Sequence, residues 1–70
     1  MAVKDYKEMW KSEKENVFVF YSQFDMGRRY KVYRRVSYRG ICRLEYLNAF
    51  ETIGEAVRFA EKVFDEVVEK

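Results

Sequence analysis

The sequence predicts an α+β fold: a three-stranded antiparallel meander packed on one C-terminal amphipathic helix, with a short N-terminal helix before it. Three observations carry that expectation. The segment from Val17 to Tyr21 is β-branched and aromatic throughout, which is strand composition. Two glycine-containing turns, Asp25-Met26-Gly27 and Arg39-Gly40, bound two further strands. A Thr-x-x-Glu start at Thr52 and Glu55 then opens a run of apolar residues at helical spacing.

Residues 1–16 form an N-terminal helix or arm. Val3, Tyr6, Met9 and Trp10 fall at helical spacing between Val3 and Glu15, and Trp10 is the expected anchor. Residues 17–50 form the sheet. In its second strand, Arg29 to Tyr38, alternation puts Tyr30, Val32, Val36 and Tyr38 on one face. Arg29, Lys31, Tyr33, Arg35, Ser37 and Arg39 then share the other. In the third strand, Ile41 to Ala49, Cys42, Leu44 and Tyr46 alternate with Arg43 and Glu45. A two-residue turn at Arg39-Gly40 sets Arg34 opposite Glu45, and a three-residue turn brings Arg35 nearer to it. A slip of one residue changes which face a partner shares. Residues 52–69 form the last helix, with Thr52 as N-cap and an apolar stripe of Ile53, Ala56, Val57, Ala60, Val63, Phe64, Val67 and Val68. Phe20, Val32, Leu44, Val57, Ala60 and Phe64 are the expected core.

Seventy residues make a single small domain, 1–70, which hides only about 60% of its unfolded surface. Six Phe, six Tyr and one Trp offset that, since each can bury on the order of 150–250 Å². A homodimer is another way to cover apolar surface. The lone cysteine, Cys42, allows no internal disulfide and fits a reducing, cytoplasmic compartment. Residues 1–16 alternate charged and apolar side chains, unlike a signal peptide. No apolar run approaches the roughly 18 residues of a membrane span.

The chain has no histidine, which removes most zinc sites, triads and imidazole acid–base schemes and leaves Cys42 without a base. Gly27, Gly40 and Gly54 lie too far apart for a phosphate-binding loop. Neither an enzyme, nor a metal, nor a cofactor is expected.

What stands out is the stretch from Arg28 to Arg43. It holds seven Arg and Lys residues and no acid, in a chain whose net charge is only +2. Such asymmetry points to a polyanionic partner. Cations there can neutralise phosphates, and a two-stranded β-ribbon fits the major groove of B-form DNA. The candidate contacts are Arg28, Arg29, Lys31, Tyr33, Arg35, Arg39 and Arg43, with Tyr33 placed to touch a sugar or stack on a base. Arg34 points inward by alternation and calls for a partner such as Glu45. The expected function is non-enzymatic nucleic-acid binding through a basic, tyrosine-containing sheet face, with duplex DNA first among the partners. The competing reading is a small regulator or inhibitor from a phage or other mobile element, antitoxin-like or directed against a nuclease, which binds a nucleic-acid-handling protein. A basic face that only guards an open strand edge needs fewer than seven cations.

The segment Ala49-Phe-Glu-Thr-Ile-Gly-Glu-Ala-Val-Arg-Phe-Ala60, following three strands, resembles the small DNA-binding domains of tyrosine recombinase N-termini and the related plant ethylene-response domains. Phe50, Thr52, Glu55 and Ala56 match their Phe-x-Thr-x-x-Glu-Ala segment. The resemblance implies that the open sheet face enters a major groove, and it carries over to Arg29, Lys31, Tyr33, Arg35 and Arg43. The helix start is also similar to that of half-barrel antitoxins. The strand tryptophans of the plant domains have no counterpart, as Trp10 lies outside the three strands.

Overall fold

The computed structural model describes residues 6–70. In chain order the elements are β1 (Tyr6–Lys11), β2 (Val17–Ser22), β3 (Tyr30–Tyr38), β4 (Ile41–Phe50), α1 (Ile53–Ala60) and β5 (Val68–Glu69). The first four strands form an antiparallel sheet in sequence order, and β5 pairs with β3 in parallel. Because β4 runs along one edge of β3 from Tyr30 to Tyr38, β5 takes the other edge, where β2 has already begun at Val17 opposite Arg34.

The helix lies on one face of the sheet. Val17 and Val19 of β2 and Val32 of β3 point at it and are fully buried with Ala56 and Ala60. Trp10, Tyr30, Leu47, Phe50, Val57 and Phe59 ring this centre. The small alanines let the helix approach closely, and the surrounding aromatics supply the area. One helix on one sheet makes a thin molecule, 34 × 32 × 17 Å in extent. The opposite sheet face has no second layer among the described residues.

Both ends of α1 have local causes. Thr52 is extended, and its side chain accepts from the Glu55 amide at 3.3 Å, as the capping box requires. At the far end the Lys62 and Val63 amides turn back onto the Phe59 and Ala60 carbonyls three residues earlier, a tightened last turn. The β3–β4 hairpin closes through Arg39 and Gly40, at φ of 52° and 79°. Positive φ at both central residues is the type I′ requirement. This two-residue turn sets Arg34 against Glu45, and they pair at 3.0 Å.

Four expectations need correction. The sheet has four long strands and a short fifth, not three. The segment expected as a first helix is β1; residues 1–5, with Val3, lie outside the described residues. The error has a physical source. A bulge between Glu8 and Trp10 breaks the two-residue alternation of β1, so that its apolar residues mimic helical spacing. Pairing with the strongly β-prone β2 then decides the conformation. The last helix ends at Ala60 rather than near residue 69, because tertiary partners capture the residues beyond it: Asp65 binds the β1–β2 turn and Val68 joins β3. Finally, Phe64 is 85% exposed and Leu44 40% exposed. Phe64 sits beyond the helix, and Leu44 faces away from it. Val32 and Ala60 are buried, and Phe20 and Val57 half-buried.

The Asp65 clasp is wholly polar. Its carboxylate accepts from the Ser12 hydroxyl at 2.6 Å, the Lys14 amide at 2.6 Å and the Asn16 amide at 3.2 Å. Ser12 in turn accepts from the Val17 amide at 2.9 Å. Partial burial pushes the Asp65 carboxyl up, but these donors outweigh it and hold it below the ordinary carboxylate value.

Candidate nucleic-acid interface

Side chains alternate across a strand, so the residues next to the core valines must face the open side. On β2 these are Phe18, Phe20 and Ser22. Their cross-strand partners are set by the register: Tyr33 opposite Phe18, Lys31 opposite Phe20, Glu8 opposite Phe20 from the other side and Tyr6 opposite Ser22. On β4, Tyr46 stands opposite Tyr33 and Leu44 opposite Arg35.

The result is an aromatic row across three strands. Ring centroids are 5.9 Å apart for Phe18 and Phe20, 5.6 Å for Phe20 and Tyr33, and 5.8 Å for Tyr33 and Tyr46. Such spacings are favourable ring pairings. Tyr46 is 54% exposed. Tyr6, Phe20, Tyr33 and Leu44 line a shallow depression of about 250 Å³ in the middle of the face. Burial holds the Tyr33 phenol above its ordinary pKa, so it stays neutral.

The cations frame this row. Lys31 sits with its ammonium 5.9 Å from the Tyr46 centroid and is ion-paired to Asp25 at 2.5 Å. Its hydrogen bond to Asp25 holds the ammonium above the ordinary lysine value. Arg35 lies over the Phe18 ring at 5.5 Å and donates to the Glu15 carbonyl at 3.1 Å, leaving Phe18 buried beneath it. These are stacked, pre-oriented cations.

The seven expected contacts therefore do not form one patch. Lys31, Tyr33 and Arg35 share the open face. Arg29 lies at its border, donating to the Asp25 carbonyl at 2.8 Å. Arg28 projects from the β2–β3 loop beside a hollow that also holds Glu51 and Glu55. Arg39 leaves the alternation at its positive φ and folds over Tyr38, 5.2 Å from the ring. Arg43 pairs with buried Val36 and so projects on the helix side. The sequence reading missed Phe18, Phe20, Tyr46, Tyr6 and Leu44 as members of the face. The signal was present in β2, where Phe18 and Phe20 interleave with Val17 and Val19: two valines facing the helix force two phenylalanines outward.

Among the described residues no group of His, Cys, Asp and Glu could hold a metal ion, and no helix is long and apolar enough to cross a membrane. Cys42 is exposed, opposite Ser37 on the open face. Comparison with family models, with curated proteins and with solved structures finds no match.

Proposed function

We propose that this chain is a non-enzymatic nucleic-acid-binding protein that works through the open face of its sheet. The observation that carries the reading is the aromatic row from Phe20 through Tyr33 to Tyr46, bordered by Lys31 and Arg35. Aromatic surface attracts nucleobases, and the flanking cations attract the phosphates that accompany them. Lys31 gives up one ion pair, to Asp25, when a phosphate takes its place, and Arg35 is already oriented by Phe18 and Glu15. Arg29 extends the positive border toward the β2–β3 loop.

A second reading is a protein partner laid over the same face. The exposure of Leu44 and Tyr46 favours it, because apolar surface at the centre of an open face gains from any dry cover.

The deciding experiment is a salt titration of binding to duplex DNA, single-stranded DNA and RNA, beginning at about 50 mM salt, where phosphate contacts are strong. Binding should weaken as salt rises. Arg35→Ala should weaken binding to every sequence and flatten the log–log salt slope by about one unit. No binding to any nucleic acid at low salt, or unchanged binding by the Arg35 variant, rejects the reading and leaves the protein partner in its place.

A further inference from the structure

We infer that the open face takes unpaired nucleotides and not a closed duplex, with a base lying over the depression between Tyr6, Phe20, Tyr33 and Leu44 and a neighbouring base on Tyr46. This rests on the nucleic-acid reading above and narrows its substrate class.

Three observations favour unpaired bases. First, the centre of the face is apolar. Its exposed members are Tyr6, Leu44 and Tyr46, and a duplex presents a charged backbone and hidden base faces, which cannot cover them. Unpaired bases can, since every base has a π-face. Second, the cations sit at the border of the row and are partly engaged. Lys31 is held by Asp25 and Arg35 by the Glu15 carbonyl, while Glu8 stands on the face opposite Phe20. Because Lys31 and Arg35 lie on β3 to either side of Tyr33, that pattern suits a single backbone running along β3 across the row. It is poor for two phosphate strands flanking a groove, one of which would approach Glu8. Third, the cations needed to widen the footprint for a duplex are turned elsewhere, Arg39 onto Tyr38 and Arg43 to the helix side.

The geometry also limits the mode of contact. Adjacent rings are 5.6 to 5.8 Å apart between centroids. Bases cannot slip between rings so closely set and must lie on top of them. The depression is open and shallow, and its 250 Å³ falls below the roughly 300–1,000 Å³ of pockets that enclose a drug-sized ligand. A flat ring resting on the sheet fits such a surface. The phenol of Tyr33 and the ammonium of Lys31 lie beside that position and can reach base edges or the backbone. Recognition of this kind tolerates many sequences, because stacking makes the main contribution.

The test uses the full chain and fluorescein-labelled oligomers of about 12 nucleotides, within the span that one small sheet domain covers. The probes are oligo-dT, oligo-rU and a blunt DNA duplex, and anisotropy is read at low salt. The expected result is tighter binding of one or both single strands than of duplex by at least about tenfold, matching one stacked base. The dT and rU arms decide between DNA and RNA. Tyr46→Ala should weaken single-strand binding about 5- to 150-fold, the effect of losing one stacked base, and Tyr46→Phe should restore it. Tyr33→Ala should do the same, but its ring supports Phe20 and Tyr46, so the exposed Tyr46 is the primary site. Circular dichroism confirms that each variant is folded. Duplex bound as tightly as single strands, with no loss in Tyr46→Ala, overturns this inference and leaves the nucleic-acid reading standing. No binding by any probe overturns both.

Discussion

Replacing Ser12 by alanine isolates one atom of the clasp between the first hairpin and the C-terminal segment. The Ser12 hydroxyl accepts from the Val17 amide at 2.9 Å and the Asn16 amide at 3.1 Å, and donates to Asp65 at 2.6 Å. The two amides fare differently when it goes. Asn16 keeps Asp65 as acceptor at 3.2 Å. Val17, fully buried, keeps none among the described residues. One orphaned buried donor costs about 1–3 kcal/mol. The Asp65 carboxylate retains the Lys14 and Asn16 amides and is partly exposed, so its lost contact adds little. We expect a loss of about 2 kcal/mol, which in a domain of this size lowers Tm by about 8–16 °C. Urea unfolding followed by circular dichroism measures it, with the m value unchanged if both end states are preserved. Ser12→Thr keeps the hydroxyl and should retain most of the stability. A loss under about 0.5 kcal/mol, the ordinary size of a surface change, would refute the reasoning, since Val17 would then have another acceptor.

The same geometry sets three further outcomes. Thr52→Ala removes the N-cap acceptor of the Glu55 amide and should destabilise by about 1 kcal/mol in a thermal melt. Arg39→Asn should stabilise by about 0.5 kcal/mol, because asparagine tolerates the left-handed backbone that arginine occupies at a cost; a lower Tm would show that the contact of Arg39 with Tyr38 matters more. The acid limb of stability should depend on Asp65 and Glu45, whose folded carboxyls lie below their ordinary values. In Asp65, burial is overcome by the Ser12, Lys14 and Asn16 donors, and in Glu45 the causes are Lys70 and then Arg34. A depressed folded pKa means stability that is full above the unfolded value and lost as pH falls through the folded one. Asp65→Asn should therefore melt lower at neutral pH and show a shallower fall in Tm below about pH 4, the ordinary carboxylate range.

Much of the sheet was legible because its signals are local. The β-branched run of β2, the two glycine turns and the capping box each depend on a few adjacent residues, and each appears in place. The two-residue Arg39-Gly40 turn sets the β3–β4 register from Tyr38 and Ile41 to Tyr33 and Tyr46, but a bulge between Val32 and Tyr33 then shifts it by one, which no local signal announces. The features that could not be read were those decided by distant partners. β1 is a strand because β2 pairs with it, and its bulge conceals the alternation. The helix stops because Asp65 finds Ser12 and Val68 finds Val36. In the candidate site, the sequence shows how many cations there are but not where they point. Arg39 turns away at a positive φ, and Arg43 falls on the face set by Val36. The aromatic row was hidden for another reason: its members come from three strands, and no single stretch contains it.

The clasp also sets an order of events. Its bonds join residues 49 to 53 positions apart, whereas the β3–β4 ladder begins three positions apart at Tyr38 and Ile41. Short loops close early and long ones late, since entropy must be lost before distant contacts can form. The hairpins therefore assemble first, and the segment from Lys62 to Lys70 docks onto a sheet already made. Weakening Ser12 or Asp65 should then accelerate unfolding while leaving the folding rate nearly unchanged. The C-terminal segment sets how long the native molecule persists once formed, and it has little influence on how quickly that state is reached.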